Sequence, residues 1–123
     1  MTKLLLATAV AAALALPAQA LELVMFRRAG CPWCLQWDRA IGPIYGKTEF
    51  GRAAPIRMVD LDRDAHGIAL ARPVVFTPTF VLVEGTRERA RIEGYPGEDF
   101  FWARLERLVR EHGAPADQRG RSG

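Results

Sequence analysis

The only two cysteines of the chain stand three residues apart, in Arg27-Arg28-Ala29-Gly30-Cys31-Pro32-Trp33-Cys34, directly behind the apolar run 21–26. That placement restricts the fold more than any other feature. A bond between Cys31 and Cys34 closes a tiny loop, so it constrains the unfolded chain little. A domain of about 100 residues buries a core without such help. The pair is therefore poorly placed as a staple and well placed as a reducible bond. Run 21–26 reads as a buried strand. Pro32 suits the first position of a helix, and Leu35, Trp37, Ala40 and Ile41 continue at helical spacing. The segment thus predicts a strand that hands the cysteines to a helix N-terminus. There, free N–H groups and the helix dipole favour a thiolate at Cys31. Cys34, one turn later, is close enough to bridge. Arg27 and Arg28 add positive potential if their side chains reach the motif. The order fits two-step exchange, with Cys31 attacking a partner and Cys34 resolving the mixed disulfide.

A zinc site needs four ligands, or three and a water. There is no third cysteine, and the two histidines, His66 and His112, have no ligand partner at metal spacing. Asp60, Asp62 and Asp64 imitate the opening of a calcium loop, but Ala65 and Ala71 stand where such a loop needs its glycine and its final carboxylate. No metal and no cofactor is expected.

Residues 1–20 have the three parts of a secretory signal peptide: Lys3, an apolar stretch over 4–16, and the small-residue site Ala18-Gln19-Ala20. The stretch is shorter than the roughly 20 residues that span a bilayer. Cleavage after Ala20 would leave a chain exported to an oxidising compartment, with no stable membrane insertion. The formal net charge is +3, with both signs mixed along the chain. Nothing in it forms a polybasic nucleic-acid patch, and a monomer is expected.

Beyond the first strand and helix, Gly42-Pro43 should break the helix. Residues 54–60 read as a second strand, and 64–71 as a short helix capped by Asp64. Residues 79–83, Thr-Phe-Val-Leu-Val, give the strongest strand signal. A tight turn at 84–86 returns 87–92 as a charged, exposed edge strand. After Gly94-Tyr95-Pro96-Gly97, Phe101, Leu105, Leu108 and Val109 share one face of a last helix, flanked by Phe100 and Trp102. Trp37, Trp102, Phe26, Phe80 and Phe101 are assigned to the core. Residues 113–123 read as a disordered tail. One α/β domain over 21–112 follows, with a mixed central sheet of about four strands flanked by helices.

These segments resemble the thioredoxin superfamily. CPWC after an apolar strand matches its active-site motif. Phe76-Thr77-Pro78-Thr79-Phe80 matches the segment in which the family keeps a cis-proline facing the disulfide, and Gly94 matches a glycine near the same site. More narrowly, AGCPWC, WDRAIGPIYGKTEFGR, RPVVFTPTFVLVEG and RIEGYPGEDFFW are similar to the small periplasmic thioredoxins of bacterial sulfur-oxidation (Sox) systems. The resemblance implies a periplasmic thiol–disulfide oxidoreductase with Cys31 and Cys34 as catalytic pair. It places Pro32, Trp33, Thr77 and a cis Pro78 at the partner protein, with Trp33 as an exposed apolar contact. It implies a reductase for a disulfide or thiol on a sulfur-carrier protein, itself supplied by a transmembrane thiol donor. One departure stands out: many thioredoxins carry a buried carboxylate six residues before the first cysteine, and here that position is Met25. A disulfide oxidase would use the same residues at a different potential, and a thioredoxin-fold binding or regulatory module would need neither cysteine.

Overall fold

The structure, a computed structural model, describes residues 20–113. Positions 1–19 and 114–123, which carry most of the expected signal peptide and tail, lie outside the described residues. Gly113, where the tail was expected to start, is the last residue of the final helix.

The elements run β1 (Leu21–Arg27), α1 (Pro32–Ala40), α2 (Gly42–Tyr45), α3 (Glu49–Ala53), β2 (Ile56–Asp60), β3 (Thr79–Glu84), β4 (Arg87–Glu93) and α4 (Glu98–Gly113). They build one four-stranded sheet in the order β2-β1-β3-β4. β1 and β2 are parallel, as a helical crossover requires, with Leu23 opposite Ile56 and Arg27 opposite Asp60. β3 runs antiparallel to β1, with Phe26 opposite Thr79. β4 closes the hairpin behind Gly85, whose φ of 65° suits the tight turn.

The period of two along the strands divides the core into two layers. Leu21, Leu23, Met25, Phe80, Leu82 and Ile92 face the helices, where they meet Trp37, Ile41, Tyr45, Phe101, Leu105 and Val109. Val24, Phe26, Val59, Val81 and Val83 face the other way, onto Ile68 with Leu61, Leu70 and Val74. Among the described residues, this second layer is covered by the irregular connection between β2 and β3 and by no helix.

The expected helix over 64–71 is thus corrected. Gly67 turns the chain with a φ of 68°. The His66 ring nitrogen accepts the Ile68 N–H at 2.9 Å, which satisfies the backbone locally. Ala69 is then drawn out alongside β4, where its N–H reaches the Thr86 carbonyl and its own carbonyl accepts from Glu88 N–H. The expected break at Gly42-Pro43 is present, but the chain then makes a further short helix, α3, capped by the Thr48 hydroxyl on Gly51 N–H at 3.0 Å. Of the aromatic residues assigned to the core, Trp37, Phe26, Phe80 and Phe101 are fully buried. Trp102 is half-buried and stacks on Tyr45.

Candidate active site around Cys31 and Cys34

β1 ends at Arg27, and a turn through Gly30, with a φ of 79°, brings the chain to Cys31. Cys31 is the N-cap of α1: its sulfur accepts the backbone N–H of Cys34 at 3.2 Å and its carbonyl accepts that of Leu35. Pro32 fills the first helical position, where no N–H is needed. Cys31 and Cys34 are joined by a disulfide across a Cα–Cα distance of 5.3 Å. Cys34 is fully buried, whereas Cys31 keeps 7% of its surface open. Pro32 and Trp33 between them are exposed.

The register brings the second sequence motif to the same end of the sheet. Thr79 pairs with Phe26, so Thr77 and Pro78 lie level with the end of β1 and the turn leading to Cys31. The Thr77–Pro78 peptide is cis. Pro78 is buried and its carbonyl accepts the Gly94 N–H at 2.8 Å, while Thr77 is half-buried. Thr79 is tied back to the Phe76 carbonyl through its hydroxyl. Val75 and Phe76, just before, are among the most exposed large apolar residues. On the helix side of the motif, Trp33 shares an apolar groove with Gly94, Tyr95, Pro96 and Phe100.

The two arginines do not behave as free cations. The Arg27 guanidinium forms a bidentate pair with Asp38 of α1, at 2.7 and 2.6 Å. That hydrogen bond and charge hold its proton more tightly than usual, against the opposing effect of partial burial. Arg28 pairs with Asp62 at 3.0 Å. Both arginines line a groove that also reaches Cys31, Leu35 and Met58. Their carboxylate partners could not be read from the sequence, because Asp38 and Asp62 come from different elements. Met25 is fully buried in the same cluster as both cysteines, so β1 contributes a thioether there and no titratable group. Among the described residues no group of three or more His, Cys, Asp or Glu side chains is placed to hold a metal ion.

A mixed four-stranded sheet whose first strand delivers a Cys-x-x-Cys disulfide to a helix N-terminus defines a thiol–disulfide oxidoreductase of thioredoxin fold. The comparisons agree, and the chain belongs to the thioredoxin family. It is similar to the periplasmic thioredoxin SoxS from Paracoccus pantotrophus, solved in its reduced form, at 53% identity over 72% of this chain and 95% of that one, with a TM-score of 0.69. Fasciola hepatica thioredoxin shares the fold at 21% identity, over 74% of this chain and 83% of that one, with a TM-score of 0.58. So does thioredoxin f2 from Chlamydomonas reinhardtii, at 15% identity over 80% and 84%, with a TM-score of 0.54. No family profile and no curated protein sequence matches the chain. No helix among the described residues is long and apolar enough to cross a membrane.

Proposed function

We propose that the chain works in the periplasm as a reductase, exported by the signal segment 1–20, and that it reduces a disulfide on a sulfur-metabolism partner such as a sulfur-carrier protein. In the reduced protein, the Cys31 thiolate attacks a partner sulfur and expels the other partner sulfur as a thiolate. Cys34, as its thiolate, then attacks Cys31 Sγ and releases the second partner thiolate. Two electrons pass to the partner and the Cys31–Cys34 disulfide forms. A transmembrane thiol donor would return the pair to the dithiol. Pro32, Trp33, Thr77 and Pro78 form the contact face for the partner, whose extended chain pairs with the backbone at Thr77.

The observation that carries the reductive direction is the pairing of Arg27 with Asp38 and of Arg28 with Asp62. A strong oxidant owes its power to a stabilised reduced form, chiefly the thiolate of the attacking cysteine. Here the Cys34 N–H and the helix dipole support that thiolate, while Arg27 is held bidentate by Asp38 and Arg28 is met by Asp62 at the surface. The similarity to a periplasmic thioredoxin supports the compartment and the sulfur-handling partner.

Titration against glutathione tests the direction. Family potentials run from about −270 mV for reductants to about −120 mV for the strongest oxidant. A value toward the first, with reduction of an oxidised sulfur-carrier protein, is expected. A value near the second, with the carrier left oxidised, would establish an oxidase instead. Cys34→Ser should trap mixed disulfides with the partner and Cys31→Ser should not; the reverse would exchange the two roles.

A further inference from the structure

The connection between β2 and β3 carries Phe76, Thr77 and Pro78 yet contains no helix to stiffen it. Beside the Ala69 bridge, the Thr79 hydroxyl and the packing of Ile68, Leu70 and Val74, it is held by a charged pair on the edge strand β4. Arg91 and Glu88, both on β4, have side chains only 5% and 4% exposed. Arg91 Nε and Nη2 donate to the two Glu88 carboxylate oxygens, each at 2.6 Å. The same guanidinium reaches the connection: Nη2 donates to the Arg72 carbonyl at 2.7 Å and Nη1 to the Pro73 carbonyl at 3.3 Å. Glu88 completes the clamp by accepting the Ala71 N–H at 2.9 Å. The Arg72 side chain is fastened as well, to Glu93 at 2.7 Å.

Residues three apart on a regular strand point to opposite faces and could not form this pair. β4 is not regular. Ala90 pairs with Leu82 but Glu88 pairs with Val83, so Arg89 is an extra residue, a bulge. The extra residue returns Glu88 and Arg91 to one side, the re-aiming that such bulges perform. β4 also holds the other end of the loop, since Thr79 pairs with Glu93 and the Pro78 carbonyl accepts from Gly94. Residues 74–77 are therefore spanned between two anchor points on one strand. Val74 is packed into the second core layer, and Val75 and Phe76 are left exposed.

We propose that Arg91, locked to Glu88 by the β4 bulge, is a positioning residue that sets the segment 75–78 against Cys31 and so governs how a partner protein docks. The proposal rests on the reading of Thr77 and Pro78 as partner contacts. Arg91 touches neither the disulfide nor the partner; it acts through the Arg72 and Pro73 carbonyls. Docking of an extended protein chain depends on that segment, whereas exchange with a small disulfide depends on the cysteines alone.

The test compares insulin, with dithiothreitol as electron source, against the small disulfide 5,5′-dithiobis(2-nitrobenzoate). For Arg91→Ala, the KM for insulin should rise roughly tenfold, as loss of binding made equally in the ground and transition states does. Its kcat, and the rate with the small disulfide, should stay within about twofold. Arg91→Lys keeps the charge against Glu88 but not the fork onto two carbonyls, and should fall between Arg91→Ala and the native protein. If Arg91→Ala leaves the Glu88 carboxylate unpaired and the chain unfolded, Glu88→Leu combined with Arg91→Met removes both charges at similar volume and is judged by the same criteria. A folded variant with an unchanged insulin KM overturns the proposal, and so does a parallel fall with both disulfides. Trp33→Ala, at the exposed side chain of the contact face, separates that face from the clamp. If it raises the insulin KM and the Arg91 variants do not, the clamp is refuted and the contact face stands. If neither raises it, both are refuted.

Discussion

Gly51→Ala should cost about 3 kcal/mol of stability although it adds one methyl group to a helix. Gly51 is buried in α3. A Cβ built there collides with the Tyr45 carbonyl and comes within 2.9 Å of the Thr48 hydroxyl oxygen. Those two groups hold the corner together. The Tyr45 carbonyl accepts from the Thr48 hydroxyl at 2.8 Å and from Thr48 N–H at 3.2 Å, and that hydroxyl accepts Gly51 N–H at 3.0 Å. Making room for the methyl disrupts two of these bonds, at about 1 kcal/mol each. Shifting backbone in a packed region costs a further ~2 kcal/mol. Alanine recovers ~1 kcal/mol of helix propensity. For a domain of this size the balance lowers Tm by about 12–24 °C. Thermal unfolding followed by far-UV circular dichroism measures it. Gly46→Ala is the control: Gly46 has a φ of −69° and open space where a Cβ would go, so alanine there should be neutral or slightly stabilising. If Gly51→Ala melts within about 4 °C of the native protein, the corner yields and the reasoning from close approach is wrong.

Asp38→Asn releases Arg27 beside the groove that reaches Cys31, so the freed cation should favour the thiolate and the reduced protein should be alkylated faster by iodoacetamide near neutral pH, modestly for charges partly open to solvent. An unchanged or slower alkylation rate would show that the pair does not act on the thiol. Stability should have an acid limb and an alkaline limb with named causes. Burial pushes the Glu88 carboxyl up, but hydrogen bonds from Arg91 and Ala71 and the charges of Arg91 and Arg72 outweigh it and hold the carboxyl below its usual range. A depressed folded pKa gives stability that is complete above the usual carboxylate range and is lost as pH falls below it. Calorimetry between about pH 6 and pH 3 should therefore show a shallower acid loss in Glu88→Gln. Burial pushes the Tyr45 phenol well above its ordinary value, while its hydroxyl donates to the Ala54 carbonyl. A raised folded pKa gives stability that is present below the ordinary phenol value and lost as pH climbs through the folded one, so Tyr45→Phe should flatten the loss above about pH 10.

The strands and the cysteine motif were legible because each rests on a local pattern. The apolar run behind Cys31, the block 79–83 and the apolar spacing of Phe101, Leu105 and Val109 recur as β1, β3 and the buried stripe of α4. What was not legible depends on pairing between distant segments. Residues 64–71 carry helix-compatible side chains, but Gly67, the His66 ring and the edge of β4 each offer the backbone an alternative. Five-residue α3 is too short to show a period, and only Thr48 three places before Gly51 announces it. The alternating charges of 87–92 read as an exposed edge, yet Glu88 and Arg91 are covered, because the irregular connection is laid over that edge and a bulge turns both side chains toward it. Arg27 and Arg28 stood next to the motif in the sequence, and only the fold reveals that Asp38 and Asp62 claim them.

Every element that shapes the disulfide converges on one end of the sheet: the end of β1, the start of β3, the end of β4 and the start of α4. Leu21 pairs with Glu84 at the opposite end, beside the Gly85 turn. Gly113 at the close of α4 comes back to the same place, since a Cβ on it would lie 3.1 Å from the Leu21 side chain. A strand of this length separates that point from the cysteines by roughly 20 Å. Cargo fused at either position, or an attachment to a bead or an electrode, would thus hold the molecule by its back and leave Cys31 turned toward the medium. A short peptide joining Gly113 to Leu21 would make a circularly permuted protein, with new termini free to be opened in the turn at Gly85, away from the dithiol.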